Sequence, residues 1–184
     1  RSAAAGGSRY RFASSDPAGF HLAATHGVRF SHLSISGASN GLYVDDSFFI
    51  GGDWVTVQGA YNGLSVQGNS SNVDLTHVVL AGNQNAGVAL DAPRFGSVNL
   101  ASSVLWSNRY GIHQNNGFIR ITNNVFGMVR PGSFAFYAIA DAPQRGYQGD
   151  YNSMYVARSD AAVGALQLGV GFTARTSTYA SVSA

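Results

Sequence analysis

Two aspartates and a histidine–tyrosine pair have the types and spacing that suit catalysis in this 184-residue chain. Asp45 and Asp91 lie two repeats of the chain apart, and His21 and Tyr43 lie one repeat apart. Paired carboxylates separated by ~6.5–9.5 Å can protonate a leaving oxygen and activate a water on the opposite face. A His/Tyr pair can pass a proton to or from a reacting carbon or oxygen. Gln67, His113, Asn115, Tyr137 and Arg109 fall at related places in the repeat. They add amides, ring faces and a cation for holding a substrate.

What must position these residues is a repeat. Glycine followed by alternating apolar residues recurs at Gly19, Gly41, Gly63, Gly87 and Gly111, and Ala135 continues the series; the starts are separated by 22, 22, 24, 24 and 24 residues. Such self-similarity marks a stacked-repeat architecture. Further alternating segments follow each start. Val28-Arg29-Phe30, Val55-Thr56-Val57, Val73-Asp74-Leu75, Val98-Asn99-Leu100 and Ile119-Arg120-Ile121 read as second strands. Leu33-Ser34-Ile35, Val78-Val79-Leu80 and Val104-Leu105-Trp106 read as third strands. Alternation over three to five residues is the strand period. Gly, Asn, Ser and Asp punctuate the corners, where a left-handed backbone is tolerated. The reading is all-β: a solenoid of about six coils, three short strands per coil.

Stacked at the ~4.8 Å strand spacing, the coils share columns of side chains. Phe20, Leu42, Leu64, Val88, Ile112 and Phe136 form one inward column. Leu22, Val44, Val66, Leu90, Gln114 and Ala138 form the next, in which Gln114 breaks the apolar rule and predicts a distorted fifth coil. Asn83 aligns with Asn108, and Ser103 with Asn124, as polar ladders at corners. Stacked amides of this kind hold register. The outward columns are His21, Tyr43, Ser65, Ala89, His113, Tyr137 and Ala23, Asp45, Gln67, Asp91, Asn115, Ile139. Together they make a polar and aromatic strip. Asp45 and Asp91 come ~9–10 Å apart on it, whereas His21 and His113, ~19 Å apart, cannot act on one bond. The plainer reading of the same residues is turn-forming aspartates and rings stacked on an exposed sheet.

Composition narrows the classes. The chain has no Lys, Glu or Cys, and charged residues are 11% of it against 45% hydrophobic. Missing Glu and Lys argue against helices, and the apolar content and net charge of +2 argue against disorder. Disulfides and Cys-ligated metals are impossible, and no apolar run is long enough for a membrane helix. Dispersed arginines do not make a nucleic-acid patch. His26, His32 and His77 lack metal-ligand spacing. Asp45-Asp46 with Asp53 is the nearest approach to a calcium site, without a complete loop motif. Phe48-Phe49-Ile50 reads as at least half buried. Trp106 reads either as core or as part of the surface aromatic set with Trp54, Tyr61 and Tyr110.

Over roughly residues 17–158 the chain resembles the right-handed parallel β-helix proteins of the pectate-lyase-like superfamily. The repeat starts carry the resemblance, with the Ile121-Thr122-Asn123-Asn124-Val125-Phe126 segment and Asp150-Tyr151-Asn152-Ser153-Met154-Tyr155, a pattern met at the last coil of such proteins. The resemblance implies right-handed coiling and a substrate groove on an outward sheet face. It implies an extracellular or cell-surface module engaging polysaccharide, and, if catalytic, a lyase, epimerase or glycoside hydrolase. Uronic-acid chemistry of that kind needs a cation, and Arg109 and Arg120, read on neighbouring coils, are the candidates. The fold also hosts inert scaffolds, so a structural or adhesive segment of a larger surface protein is the alternative, assembling through open coil edges. Residues 1–158 are read as coils, the first incomplete, and 159–184 as an extension packing on or trailing from the last coil.

Overall fold

The computed structural model describes residues 18–92, 96–139, 145–168 and 175–179, and the described residues hold nineteen strands and no helix. The first coil is β1 (Ala18–Ala23), β2 (Arg29–Ser31) and β3 (Ser34–Ser36). The second is β4 (Asn40–Asp45), β5 (Phe48–Asp53) and β6 (Thr56–Gln58). The third is β7 (Asn62–Gln67), β8 (Ser71–Thr76) and β9 (Val79–Ala81), and the fourth β10 (Ala86–Asp91), β11 (Ser97–Ala101) and β12 (Val104–Trp106). In the fifth, β13 (Tyr110–Thr122) runs unbroken through two sheets before β14 (Val125–Met128). The sixth is β15 (Phe134–Ile139), β16 (Arg145–Asp150) and β17 (Ser153–Val156).

Each strand pairs in parallel with its counterpart on the next coil, which makes three sheets along a parallel β-helix. β18 (Ala162–Leu168) adds a further parallel strand to β15 in the first sheet, and β19 (Arg175–Tyr179) lies antiparallel along β18. The Asp150–Tyr155 segment enters β17, the last strand of the third sheet, as the resemblance implied.

The inward columns stand in register as read. Phe20, Leu42, Leu64, Val88, Ile112 and Phe136 follow one another coil by coil. The middle four are buried and the terminal phenylalanines are partly covered. Alternation drives this arrangement, because each strand has one face that can leave water only by stacking on another coil. A fully buried Leu contributes roughly 1.5–3 kcal/mol, and Leu64, Leu80, Leu90 and Leu105 are all of this kind.

The many glycines read from the sequence as corner residues spaced by the coil, but those that start the repeats are not at corners. They lie inside the first-sheet strands, and their constraint is space. A Cβ on Gly87 would sit 2.7 Å from Gly111 O and 2.9 Å from Leu105 Cδ2; one on Gly41 would sit 2.1 Å from Val57 Cγ1. The corner glycines are others, such as Gly59 and Gly82, at φ of +66° and +63°.

One corner dispenses with glycine. His32, Trp54, His77, Ser102, Asn123 and Tyr151 follow the second-sheet strands with φ of 55°, 54°, 50°, 49°, 58° and 53°. A left-handed backbone is unfavourable for such residues. Here each of the first five amides donates to the next coil: His32 N to Asp53 O, Trp54 N to Thr76 O, His77 N to Ala101 O, Ser102 N to Thr122 O and Asn123 N to Asp150 O. The stacking bond offsets the local strain and turns the following side chain inward.

Two expectations about strands and burial fail. Val55-Thr56-Val57 is third sheet, because the second-sheet strand of that coil is β5. Phe49 is 66% exposed. Its φ of 57°, matched by Asn72 at 55° on the next coil, bends β5 so that the ring points out.

The polar ladders form. Asn83 N and Nδ2 donate to Asn108 Oδ1 at 2.9 and 3.0 Å, and Asn108 Nδ2 donates to Leu80 O at 2.8 Å. Ser103 N donates to Asn124 Oδ1 at 2.9 Å, and Asn124 continues to Asn152. All four of the predicted ladder residues are buried.

Candidate functional site

The outward face of the first sheet holds the predicted strip. His21, Tyr43, Ser65, Ala89, His113 and Tyr137 stand in one column, as read. The second column runs Ala23, Asp45, Gln67, Asp91 and then Asn116. Asn115 was expected in that place. A β-bulge between Leu90 and Asp91 shifts the register by one, so Asn115 has no partner in the column. The cause is visible inside the coil. Gln114 is fully buried at an apolar position, and its Nε2 donates to Gly117 O and Gly146 O at 2.8 and 3.0 Å. Satisfying a buried amide donor takes carbonyls that a regular strand would not turn toward it.

Small side chains make the strip concave. Ser65 and Ala89 lie between the rings of Tyr43 and His113, three coil steps or ~14 Å apart. Over them is a depression of about 190 Å³ lined by Asn62, Ser65, Gln67, Asn85, Asp91, His113 and Asn115, with Ala89 and Leu90 beneath. Its polar groups are braced. Tyr43 Oη donates to Gln67 Oε1 at 3.1 Å, and Gln67 Nε2 to Ser65 Oγ at 3.4 Å. Asn116 Nδ2 donates to Asp91 Oδ1 at 2.8 Å. On the other flank Asn85 Nδ2 donates to Asn62 Oδ1 and Asn62 Nδ2 to Asn40 Oδ1. Asn115 Oδ1 is buried and has no hydrogen-bond partner.

His113 forms one wall. Its ring centroid is 5.0 Å from that of Tyr110 and 5.2 Å from that of Tyr137. Burial pushes its pKa below the usual histidine value; the Asp91 carboxylate opposes this and Arg109 adds to it. The imidazole is therefore neutral at pH 7 and able to accept a proton. Burial also raises Tyr110, with Arg109 acting against it from 5.2 Å above the ring. Tyr43 is raised by burial first and by Asp45 and Asp46 next.

The structure sorts the predicted residues into groups. Asp91, Gln67, His113 and Asn115 gather around the depression, with Tyr43 adjoining through Gln67. Tyr137 extends the wall beyond His113, and Arg109 lies behind Tyr110. Asp45 is separated from Asp91 by Gln67. His21 packs on Tyr43 with ring centroids 4.6 Å apart, four coil steps from His113. Arg109 and Arg120 are not on neighbouring coils: both belong to the fifth, Arg109 ahead of the first sheet and Arg120 in the second. Sequence reasoning missed Asn62, Asn85 and Asn116, and it placed Tyr110 only in the surface aromatic set. The Asn40-Gly41 and Asn62-Gly63 pairs, at the same place in successive repeats, were the available signal for the amide flank.

The aspartates considered for calcium fall in two places. Asp46 Oδ1 accepts from Asn69 N and Nδ2 beside Asp45. Asp53 Oδ1 accepts from Thr76 Oγ1 and meets His77 Nδ1 at 2.9 Å across another corner. Among the described residues no three His, Cys, Asp or Glu side chains come together. Two exposed aromatic stacks lie off the strip: Trp54 on His77 with centroids 4.6 Å apart, and Trp106 on Tyr155 at 6.0 Å. Trp106 is thus surface, at 39% exposure, because its ring lies over Gly127 of the next coil.

Fold and face together define a parallel β-helix with a braced, amide-lined hollow on its first sheet. No protein-family profile matches the chain, and no curated protein does. Among solved structures it is similar to the crystal structure of the periplasmic alginate epimerase AlgG, with 14% identity and a TM-score of 0.45. That likeness covers 82% of this chain and 47% of the other, so the chain spans about half the length of that protein. No helix among the described residues is long and apolar enough to cross a membrane.

Proposed function

We propose that this β-helix engages a polysaccharide along the outward face of its first sheet, on the exported side of the cell. The observation that carries the reading is the hollow at Gln67, Asp91, His113 and Asn115. It combines amide donors and acceptors with ring walls on a rigid sheet, the mixture that orients sugar hydroxyls while covering sugar faces. Should the site turn substrate over, His113 is placed as proton acceptor and Asp91 as the adjacent carboxylate.

A non-catalytic binding module is the second reading. It is favoured by the dispersal of the ionisable groups, since Gln67 separates Asp45 from Asp91 and four coil steps separate the two outward histidines. One experiment addresses both readings. The chain is run through gels containing soluble polysaccharides and incubated with the same polymers, and new reducing ends and unsaturated products are followed. Retardation supports engagement, and products lost in the Asp91→Asn and His113→Gln variants support catalysis. Retardation without products supports the binding module, and absence of both removes the polysaccharide reading.

A further inference from the structure

We infer that the hollow takes a neutral polysaccharide, a chain of hydroxyl-bearing sugars without carboxylates or sulfates. The inference rests on the polysaccharide reading above and assigns its substrate class.

The charges around the hollow carry the argument. Asp91 lines it, and Asp45 and Asp46 stand at its lower flank, two coils down. The chain contains no lysine. Arg109 stands beside this face, with its guanidinium 5.2 Å from the centre of the Tyr110 ring and close enough to act on His113. Of the other described arginines, Arg29, Arg120 and Arg145 lie on the second sheet, Arg175 lies on β19, Arg130 donates to Asn83 O, and Arg158 pairs with Asp160. His113 is held neutral by burial. Among the described residues no arginine pairs with Asp91, so an acidic polymer would bring a carboxylate on every sugar toward that carboxylate, and like charges at such range repel.

The uncharged lining points the same way. Asn62, Gln67, Asn85 and Asn115 offer both donors and acceptors, which is what hydroxyl groups require. The bulge turns Asn115 out of the column and adds its amide to this lining.

The test compares affinity electrophoresis and titration calorimetry of the full chain with two sets of polymers. The neutral set is a mixed-linkage β-glucan, xyloglucan and galactomannan; the acidic set is polygalacturonate and alginate. The expected result is binding to a neutral polymer with little change between 20 and 200 mM NaCl (about a tenfold range chosen to span strong and weak screening). The Gln67→Ala/Asn115→Ala variant should bind at least tenfold more weakly while keeping its β-sheet circular dichroism. Binding to an acidic polymer alone overturns the inference and leaves the polysaccharide reading standing. Neutral binding that survives the double variant overturns the assigned site. Binding to none of the five overturns the polysaccharide reading itself.

Discussion

Asn116 faces Asp91 across adjacent coils and donates its Nδ2 hydrogen to the Asp91 carboxylate at 2.8 Å. A regular strand would put Asn115 there. The single-residue slip follows from Gln114, whose buried Nε2 donates to Gly117 O and Gly146 O. One polar residue in an apolar column thus fixes an outward carboxylate and frees an outward amide for the hollow. The core and the candidate site are linked at this point.

Replacing Gln114 with Leu tests that link. The variant removes a donor from two carbonyls in the interior, and Leu cannot replace it. The expected loss is about 1–3 kcal/mol in urea denaturation, together with weaker polysaccharide binding, because nothing then holds the bulge. Unchanged stability and binding would mean that the bulge is held by something else.

The inner ladder should matter more than the outer one. Asn108→Ala leaves Asn83 N, Asn83 Nδ2 and Leu80 O without their partner in a fully buried corner. A loss of about 1–3 kcal/mol or more is expected. Asn99→Ala removes a surface bond to Asp74 and should stay within about 0.5 kcal/mol. Urea midpoints for the two variants give the comparison.

The repeat glycines make a sharper demand. Gly87→Ala places a methyl group 2.7 Å from Gly111 O, 2.9 Å from Leu105 Cδ2 and 3.0 Å from Asn108 Nδ2. Backbone and ladder must both move, and overpacking of this kind typically costs about 1–3 kcal/mol. A thermal unfolding midpoint equal to that of the parent chain would show that the coils separate more easily than the structure indicates.

His113 sets a pH dependence. Its folded pKa lies below the unfolded value of about 6.5. Above that value the ring is neutral in both states and makes no difference. As pH falls through it, the unfolded chain takes up a proton that the folded chain resists, so stability declines until the folded pKa is passed. The difference in unfolding free energy between the parent and His113→Gln should therefore shift against the parent between pH 7 and 5. A pH-independent difference would mean that the ring is not desolvated.

The architecture was legible because alternation and period are both properties of the sequence. Leu42, Leu64, Val88 and Ile112 could be stacked on paper, and so could Asn83 on Asn108. The departures have local causes that alternation does not encode. Gln114 announced a distortion, but nothing in Gln114-Asn115-Asn116 said which residue would be extruded. Gly87 looks like any corner glycine until its neighbours on the next coil are known. Phe49 reads as at least half buried, yet its left-handed backbone turns it out. The hollow was the hardest feature to foresee. It depends on Ser65 and Ala89 being small between two rings, and a column of outward positions carries no sign of depth.

The most direct measurement is the dissociation constant of a soluble polysaccharide for three chains: the parent, Gln67→Ala on the hollow, and Asn99→Ala on the second sheet. Gln67→Ala should bind at least tenfold more weakly and Asn99→Ala should match the parent, since the lost bonds from Tyr43 and to Ser65 belong to the hollow alone. Equal affinity for all three chains, or an equal loss in both variants, would contradict the hollow as the binding site.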